Sequence, residues 1–140
     1  MIKLPYYKKV TEDVPVGDSK MLRIRLNPKY ENHEGILKHE ETHIQHWYIG
    51  FIICLCVAIA VSFVWGWNVA MWFVVLGVSL KDLLYTFSRK ARLKMEVAAY
   101  RNQMSVEDMD YSGLYAEYLA SPLYDLNISK AQALRLLRRQ

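Results

Sequence analysis

Three of the four histidines, His39, His43 and His46, lie within eight consecutive residues, HEETHIQH. His39, Glu40 and His43 form the motif HExxH in a stretch whose composition predicts a helix. Residues four apart lie on one face of a helix, one turn from each other, so both imidazoles can reach a single zinc ion. Glu40 would then lie beside the ion, where its carboxylate can take a proton from water. The motif therefore predicts zinc-dependent hydrolysis.

A catalytic zinc ion needs a third protein ligand and an open position for water. Glu96 is the favoured candidate because it belongs to a second predicted helix, in the sequence MEVAAYRNQ. His46 competes with it, seven residues after His39 on the same helix face. A straight helix places His46 roughly 10 Å further along the axis, at a rise of ~1.5 Å per residue, which is too far to share the ion. The alternative interpretation of the motif is an ordinary polar surface helix that binds no metal.

The elements that must position these residues are predicted from the spacing of apolar side chains and from capping residues. Polar helical segments are predicted over residues 33–48, 87–103, 112–120 and 129–140. Lys20 to Leu26 alternates basic and apolar residues, which is typical of a short edge strand, and residues 1–17 are predicted to be an irregular arm. The sequence therefore predicts a mainly α protein with a small β edge (α+β), and the last helix, 129–140, is basic.

The chain between the motif and Glu96 is almost continuously apolar. After Glu41 no formally charged side chain occurs before Lys81. The tetrapeptide WGWN, residues 65–68, interrupts this segment with residues that favour a turn. We therefore predict an inserted helical hairpin over residues 49–87, with arms near the lower end of membrane-spanning length.

Three placements of this segment are open: a hairpin in a membrane, a hairpin buried against protein in an oligomer or a virion, and a single membrane span. A single span would separate His43 from Glu96 and exclude a shared ion, so the membrane hairpin is favoured. Lys81 and Asp82 would then have to reach the interface or pair. Basic residues flank the segment on both sides, which fits a cytoplasmic location of both ends. They are Lys20, Arg23, Arg25, Lys29 and Lys38 before it, and Lys81, Arg89, Lys90, Arg92 and Lys94 after it.

Composition narrows the remaining possibilities. A chain of 140 residues fits one compact domain. The net charge of +4 resides in residues 129–140, so the rest is neutral, which argues against a specific nucleic-acid-binding domain. The sequence MIKLPYYKKVTED has charge and proline where a secretory signal would be apolar. Cys54 and Cys56 lie in the apolar run and are expected to pack as small hydrophobic residues.

Three sequence blocks occur in the order LKHEETHIQHW, ARLKMEVAAYRNQ and LYAEYLASPLYDLNISKAQALRLL. Together they resemble a family of small zinc-peptidase-like proteins encoded by tailed bacteriophages. In that family HExxH is followed by a helix with an E-x-x-A-Y core, then by a P-L-Y turn and a final helix. The resemblance covers about residues 37–137 and implies a single minimal zincin-like domain over residues 1–140. The apolar segment is longer and more hydrophobic than the family pattern.

The resemblance implies His39, His43 and Glu96 as zinc ligands and Glu40 as the general base, in the manner of gluzincins. It implies a peptide or protein substrate, and the hairpin adds a membrane or other phage or host proteins as partners. Candidates for a transition-state-stabilising group are Tyr100, Tyr111, Tyr115 and Tyr124. Tyr124 is preferred because P-L-Y lies in a shared block. The alternative function is a non-catalytic phage structural, virion or membrane component that keeps the zincin scaffold. An oligomer is compatible with either function.

Overall fold

The computed structural model describes residues 4–138. Three short strands precede five helices. In chain order they are β1 (Tyr7–Val10), β2 (Gly17–Lys20), β3 (Arg23–Leu26), α1 (Glu34–Trp65), α2 (Trp67–Phe87), α3 (Arg89–Met104), α4 (Ser112–Ala120) and α5 (Lys130–Arg138). Single 3-10 turns lie at Pro28–Tyr30 and Pro122–Tyr124. The prediction of a mainly α protein with a small β edge is confirmed.

Helix α1 contains both the HExxH motif and the first arm of the hairpin. It runs for 32 residues without interruption, and the Nδ1 atom of His33 caps its start by accepting a hydrogen bond of 3.2 Å from the Ile36 amide. The predicted boundary near residue 49 is therefore wrong. The change from polar to apolar side chains alters what the helix contacts but leaves its backbone hydrogen bonds intact. The motif and the first arm consequently move as one rod.

The reversal between the two arms takes one residue. Gly66 has φ 82° and ψ 170°, a conformation that glycine adopts far more readily than other residues. Trp67 and Asn68 already belong to α2, so the predicted four-residue turn is wrong. Because the second arm begins at once, its last turns return to the level of the HExxH motif.

Small residues bring the two arms into close contact. A Cβ atom on Gly77 would lie 2.8 Å from the Cβ atom of Cys54. Cys54 is buried in this contact, as predicted, whereas Cys56 faces outward. Near the polar end, the Trp47 indole donates a hydrogen bond of 2.9 Å to the carbonyl of Val78. The hairpin is thus braced at the end that adjoins the motif.

Most large apolar side chains of the hairpin face away from the chain. Helices α1 and α2 are both long and apolar enough to cross a membrane. Only 22% of the most apolar 18-residue segment of α1 is buried, and only 17% of the corresponding segment of α2. The exposed side chains include Ile52, Ile53, Phe63, Trp72 and Phe87. The described part of the chain therefore leaves this apolar surface largely uncovered.

The sheet has the order β1-β3-β2, with β1 parallel and β2 antiparallel to β3. The single edge strand predicted over residues 20–26 is wrong, because the chain turns at Met21, which has φ 51°. This turn separates β2 from β3 and makes β2 the edge strand. Part of the predicted irregular arm forms β1. Ile24 and Leu26 of β3 are fully buried and pack against α1, which attaches the sheet to the HExxH helix.

Helices α3, α4 and α5 form a second core around Tyr100, Leu119 and Leu137. Helix α4 has the predicted bounds, and the Ser129 hydroxyl caps α5 by accepting a hydrogen bond from the Gln132 amide. The last two residues of the predicted helix 129–140 lie outside the described residues. This core packs α4 and α5 against α3, the helix that contains Glu96.

Candidate metal centre

The ligand atoms of His39, His43 and Glu96 meet where α3 crosses α1, within 4.8 Å of one another. The two Nε2 atoms of the histidines are 3.3 Å apart. The Nε2 atom of His39 is 3.5 Å from Oε2 of Glu96, and that of His43 is 3.4 Å from Oε1. With zinc bonds of about 2.0–2.1 Å, the edge of a coordination tetrahedron is about 3.3–3.4 Å. Each imidazole nitrogen faces a different oxygen of the Glu96 carboxylate at close to this distance, so the three side chains are placed to bind one ion.

Glu96 is the most deeply buried of the three residues and is 2% exposed. The Tyr85 hydroxyl donates a hydrogen bond of 2.6 Å to Oε1, while Oε2 is buried without a hydrogen-bond partner among the described residues. Burial acts to raise the pKa of the Glu96 carboxyl, but the neighbouring imidazoles of His39 and His43 and the hydrogen bond from Tyr85 hold it below its usual value. An ionised carboxylate beside two imidazole nitrogens is a donor set that suits zinc.

The imidazole rings are held by aromatic neighbours. Burial lowers the pKa of His43 to about 3, against the opposing charge of Glu96, so the ring is in the neutral form that binds metal. The Nδ1 atoms of His39 and His43 are buried without hydrogen-bond partners in the described part of the chain. The ring centroid of Tyr100 lies 4.5 Å from that of His39, and that of Tyr85 lies 6.1 Å from that of His43. In most zinc sites the second ring nitrogen of each histidine makes a hydrogen bond that orients the ring. Here the edge contacts with the two tyrosines orient the rings instead.

Glu40 lies beside the metal-binding group and is 7% exposed. Burial raises the pKa of Glu40, and the hydrogen bond from the Ser19 hydroxyl of β2 opposes that shift without cancelling it. A Cβ atom on Gly17 would lie 3.4 Å from the Cγ atom of Glu40, so the backbone of β2 packs against this side chain. A carboxyl group whose pKa is raised is better suited to return a proton as well as to accept one near neutral pH.

Two cavities meet at Glu40. The larger has a volume of about 880 Å³ and the smaller about 440 Å³. Both are lined by Gly17, His39, Glu40 and Tyr124. Gly17 of β2 lines both cavities and the rest of the strand lines the smaller one, so an extended ligand beside this strand would pass Glu40 and the metal-binding group.

Among the four candidate tyrosines, Tyr124 is the one that lines both cavities. Its hydroxyl is 2.6 Å from that of Tyr100, which is buried behind it. Tyr111 and Tyr115 line the larger cavity, and the Tyr115 hydroxyl donates its hydrogen bond to Glu107. Tyr100 also lines the larger cavity, so Tyr124 is distinguished as the candidate tyrosine that the two cavities share.

His46 is not a member of the group that the structure brings together. Its ring centroid is 6.2 Å from that of His43. Two site residues were not identified from the sequence: Lys81 and Tyr85 of α2, both in the wall of the smaller cavity. The apolar sequence around these two residues gave no indication of a functional site. The end of the uncharged segment at Lys81 was the one available clue, because the second arm must return there to the level of the motif.

No protein-family model, no curated protein and no solved structure matches this chain. The resemblance to phage zinc-peptidase-like proteins therefore stays a prediction. The candidate metal centre rests on the geometry of His39, His43 and Glu96, and this buried group is able to bind a metal ion.

Proposed function

We propose that this chain is a zinc-dependent metallopeptidase of the gluzincin type. The observation that carries the proposal is the convergence of His39, His43 and Glu96 from two helices, with Glu40 beside them at the junction of two cavities. Two histidines and one carboxylate are a known catalytic zinc set and leave one coordination position open. When bound, zinc would polarise the carbonyl group of a peptide bond and lower the pKa of a neighbouring water molecule.

The chain's own residues supply the proton transfers. Glu40 takes a proton from the attacking water and passes it to the nitrogen of the leaving amine. Tyr124 donates a hydrogen bond to the oxygen atom on which negative charge develops. Burial raises the pKa of Tyr124 to about 12, with the charge of Glu96 acting in the same direction, so the hydroxyl keeps its proton at neutral pH.

An extended peptide is the substrate that this groove fits. Strand β2 is at the edge of the sheet and pairs with β3. Edge strands bind extended peptides through their free backbone groups. Gly17 lines both cavities, and Asp18, Ser19 and Lys20 continue along the smaller one. Strand β2 therefore occupies the edge position that was predicted for residues 20–26.

The test of this function is metal content together with peptide hydrolysis, on full-length protein prepared without a histidine tag. We expect about one zinc ion per chain, as a single tetrahedral site requires. We also expect cleavage of an unstructured peptide mixture, followed by mass spectrometry, that stops with a chelator and returns with zinc. Zinc without cleavage would favour the non-catalytic phage structural component. Absence of zinc after adding the metal back would contradict the peptidase function and favour a structural membrane or virion protein.

We also propose that the hairpin lies in a membrane and holds the site at its cytoplasmic face. Residues 49–80 carry no formal charge, and the described chain covers little of their surface. Residues 49–65 rise about 24 Å, against a hydrocarbon core of about 30 Å, which brings the tryptophans of the turn towards the far interface. The alternative is that the same surface is covered by protein, in an oligomer or a virion.

Tryptophan quenching tests this placement. In vesicles of lipids brominated deep in the acyl chains, we expect strong quenching of a variant whose only tryptophan is Trp72, an exposed residue about 7.5 Å along α2 from the turn and therefore nearer to the bilayer centre. A matched variant that keeps only Trp47, at the braced polar end, should be quenched much less, because it lies near the headgroups. Equal, weak quenching of both variants in a protein that remains a lipid-free oligomer would contradict the membrane placement.

A further inference from the structure

Lys81 is a charged side chain that the fold buries on an otherwise apolar helix. It is 7% exposed, whereas its neighbours Leu83 and Leu84 are 42% and 41% exposed. A lysine near the end of a helix normally extends its ammonium group into water. Here the charge points inward and the apolar neighbours point outward, an arrangement that costs free energy unless polar groups meet the ammonium.

The side chain of Lys81 lines the smaller cavity together with His43 and Glu96. Its Nζ atom lies 3.5 Å from Oδ1 of Asp82 and 5.7 Å from the ring centroid of Tyr85. The Asp82 side chain is 37% exposed, so this ion pair is open to water on one side. The ammonium group is therefore part of the wall that a ligand in the cavity would contact.

The other carboxylates of the smaller cavity have partners of their own. Asp18 pairs with Arg25, and Glu96 faces the two imidazoles. Glu40 accepts a hydrogen bond from β2. Lys81 consequently lies beside a space of about 440 Å³ in which an additional anionic group can approach it.

The two cavities differ in the basic side chains of their walls. Two lysines, Lys20 and Lys81, line the smaller cavity beside four carboxylates, and Lys81 is the buried one of the two. The wall of the larger cavity includes the acidic residues Glu34, Glu40, Glu107 and Asp108, and none of the described residues that line it is lysine or arginine. A peptide that crosses Glu40 has one end in each cavity, so an anionic end of the peptide finds a lysine partner in the smaller cavity and none in the described wall of the larger one.

We propose that Lys81 binds a carboxylate of the substrate in the smaller cavity and so selects peptides that carry one close to the bond that is cut. This inference rests on the proposed peptidase function and names the substrate class for that same site. The carboxylate is either the C-terminal group of the peptide or the side chain of Asp or Glu. Lys81 is a specificity residue here, because it contacts the substrate away from the reacting atoms.

Three matched peptides separate these sources. One ends in a free carboxylate, one ends in an amide, and one ends in an amide but carries a glutamate at the same distance from the cleaved bond. With the zinc-loaded wild type we expect kcat/KM for a carboxylate peptide to exceed that for the amide peptide by roughly 10- to 100-fold, typical of a charge-assisted hydrogen bond. The peptide with the larger ratio identifies the source of the carboxylate. A ratio near one for both carboxylate peptides overturns the inference.

Variants assign this preference to Lys81. Lys81→Met keeps the length of the side chain and removes the charge, and should bring the ratio close to one. Lys81→Arg should keep most of it, which a purely structural role for the position does not predict. Lys94→Met is the matched control, because Lys94 is an exposed residue of α3 outside the walls of both cavities. An unchanged ratio in Lys81→Met would assign the preference to another residue.

Peptide binding to zinc-loaded Glu40→Gln gives a second readout that does not need turnover. The ratio of dissociation constants for carboxylate and amide peptides should follow the same order and again disappear with Lys81→Met. Cleavage by the wild type without any carboxylate preference would refute the role of Lys81 and leave the peptidase function standing. If peptides bind with this preference but the zinc-loaded wild type cleaves none of them, the peptidase function is refuted and the role of Lys81 in carboxylate binding is supported.

Discussion

Replacing Glu40 with Gln is expected to lower the rate of peptide hydrolysis by about 10²- to 10⁴-fold while zinc stays bound. Glutamine fills the same space against Gly17 but cannot accept a proton as a carboxylate does. Glu40 is not a member of the metal-binding group, so the metal content should not change. The measurement is kcat on a cleaved peptide together with zinc content on the same preparation.

The neighbouring residue provides the control for this variant. Glu41 accepts a hydrogen bond of 2.7 Å from the Tyr6 hydroxyl and lies outside the walls of both cavities. Glu41→Gln should therefore hydrolyse peptides at close to the wild-type rate. Hydrolysis retained in Glu40→Gln would show that another group accepts the proton. Loss of activity in both variants would point to damage to α1 and not to a lost base.

The relation between His39, Glu40 and His43 was predictable from the sequence, because it depends on helix geometry alone. Glu96 required one further step, since its helix had to return to the same side as the motif. The sequence did not show this return; the hairpin was inferred from the shared ion, because a single span excludes one. Helix spacing, a carboxylate on a second predicted helix and the family resemblance together predicted the group that the structure brings together.

The rest of the site depends on tertiary contacts that no local pattern reveals. Strand β2 begins at the end of the predicted irregular arm and ends at the start of the predicted strand. It becomes a separate edge strand because the chain turns at Met21 and β3 is buried against α1. Lys81 reads as a charge that opposes membrane insertion. Only the packing of α2 against α1 shows that its side chain turns towards the smaller cavity.

Helix boundaries were missed for a related reason. A helix ends where capping residues or steric constraints end its hydrogen bonds, and a change in side-chain polarity does neither. In α1 the first such residue after the motif is Gly66. The continuity has a functional consequence, because it joins the exposed apolar surface and two of the candidate ligands in one continuous helix. A hairpin fixed in a membrane would therefore fix the orientation of His39 and His43 as well.

Replacing Glu96 is expected to lower the affinity for zinc by at least about 100-fold, because loss of a ligand should cost no less than loss of its supporting partners. Glu96→Ala removes the ligand oxygen and leaves the Tyr85 hydroxyl without its acceptor. Glu96→Gln keeps an acceptor for that hydroxyl but replaces the charged carboxylate with a poor zinc ligand, which separates metal loss from misfolding. Zinc content after dialysis, with the circular dichroism of each variant, measures the effect.

His46 provides the comparison that decides between the two candidate third ligands. Its ring lies next to that of His43 but outside the group of converging atoms. His46→Ala should therefore keep about one zinc ion per chain, as expected for a site whose three protein ligands are intact. His39→Ala should lose the ion as Glu96→Gln does, although the two substitutions are on different helices. The opposite pattern, with zinc lost in His46→Ala and kept in Glu96→Gln, would identify His46 as the third ligand. The buried carboxylate of Glu96 would then have no role in metal binding.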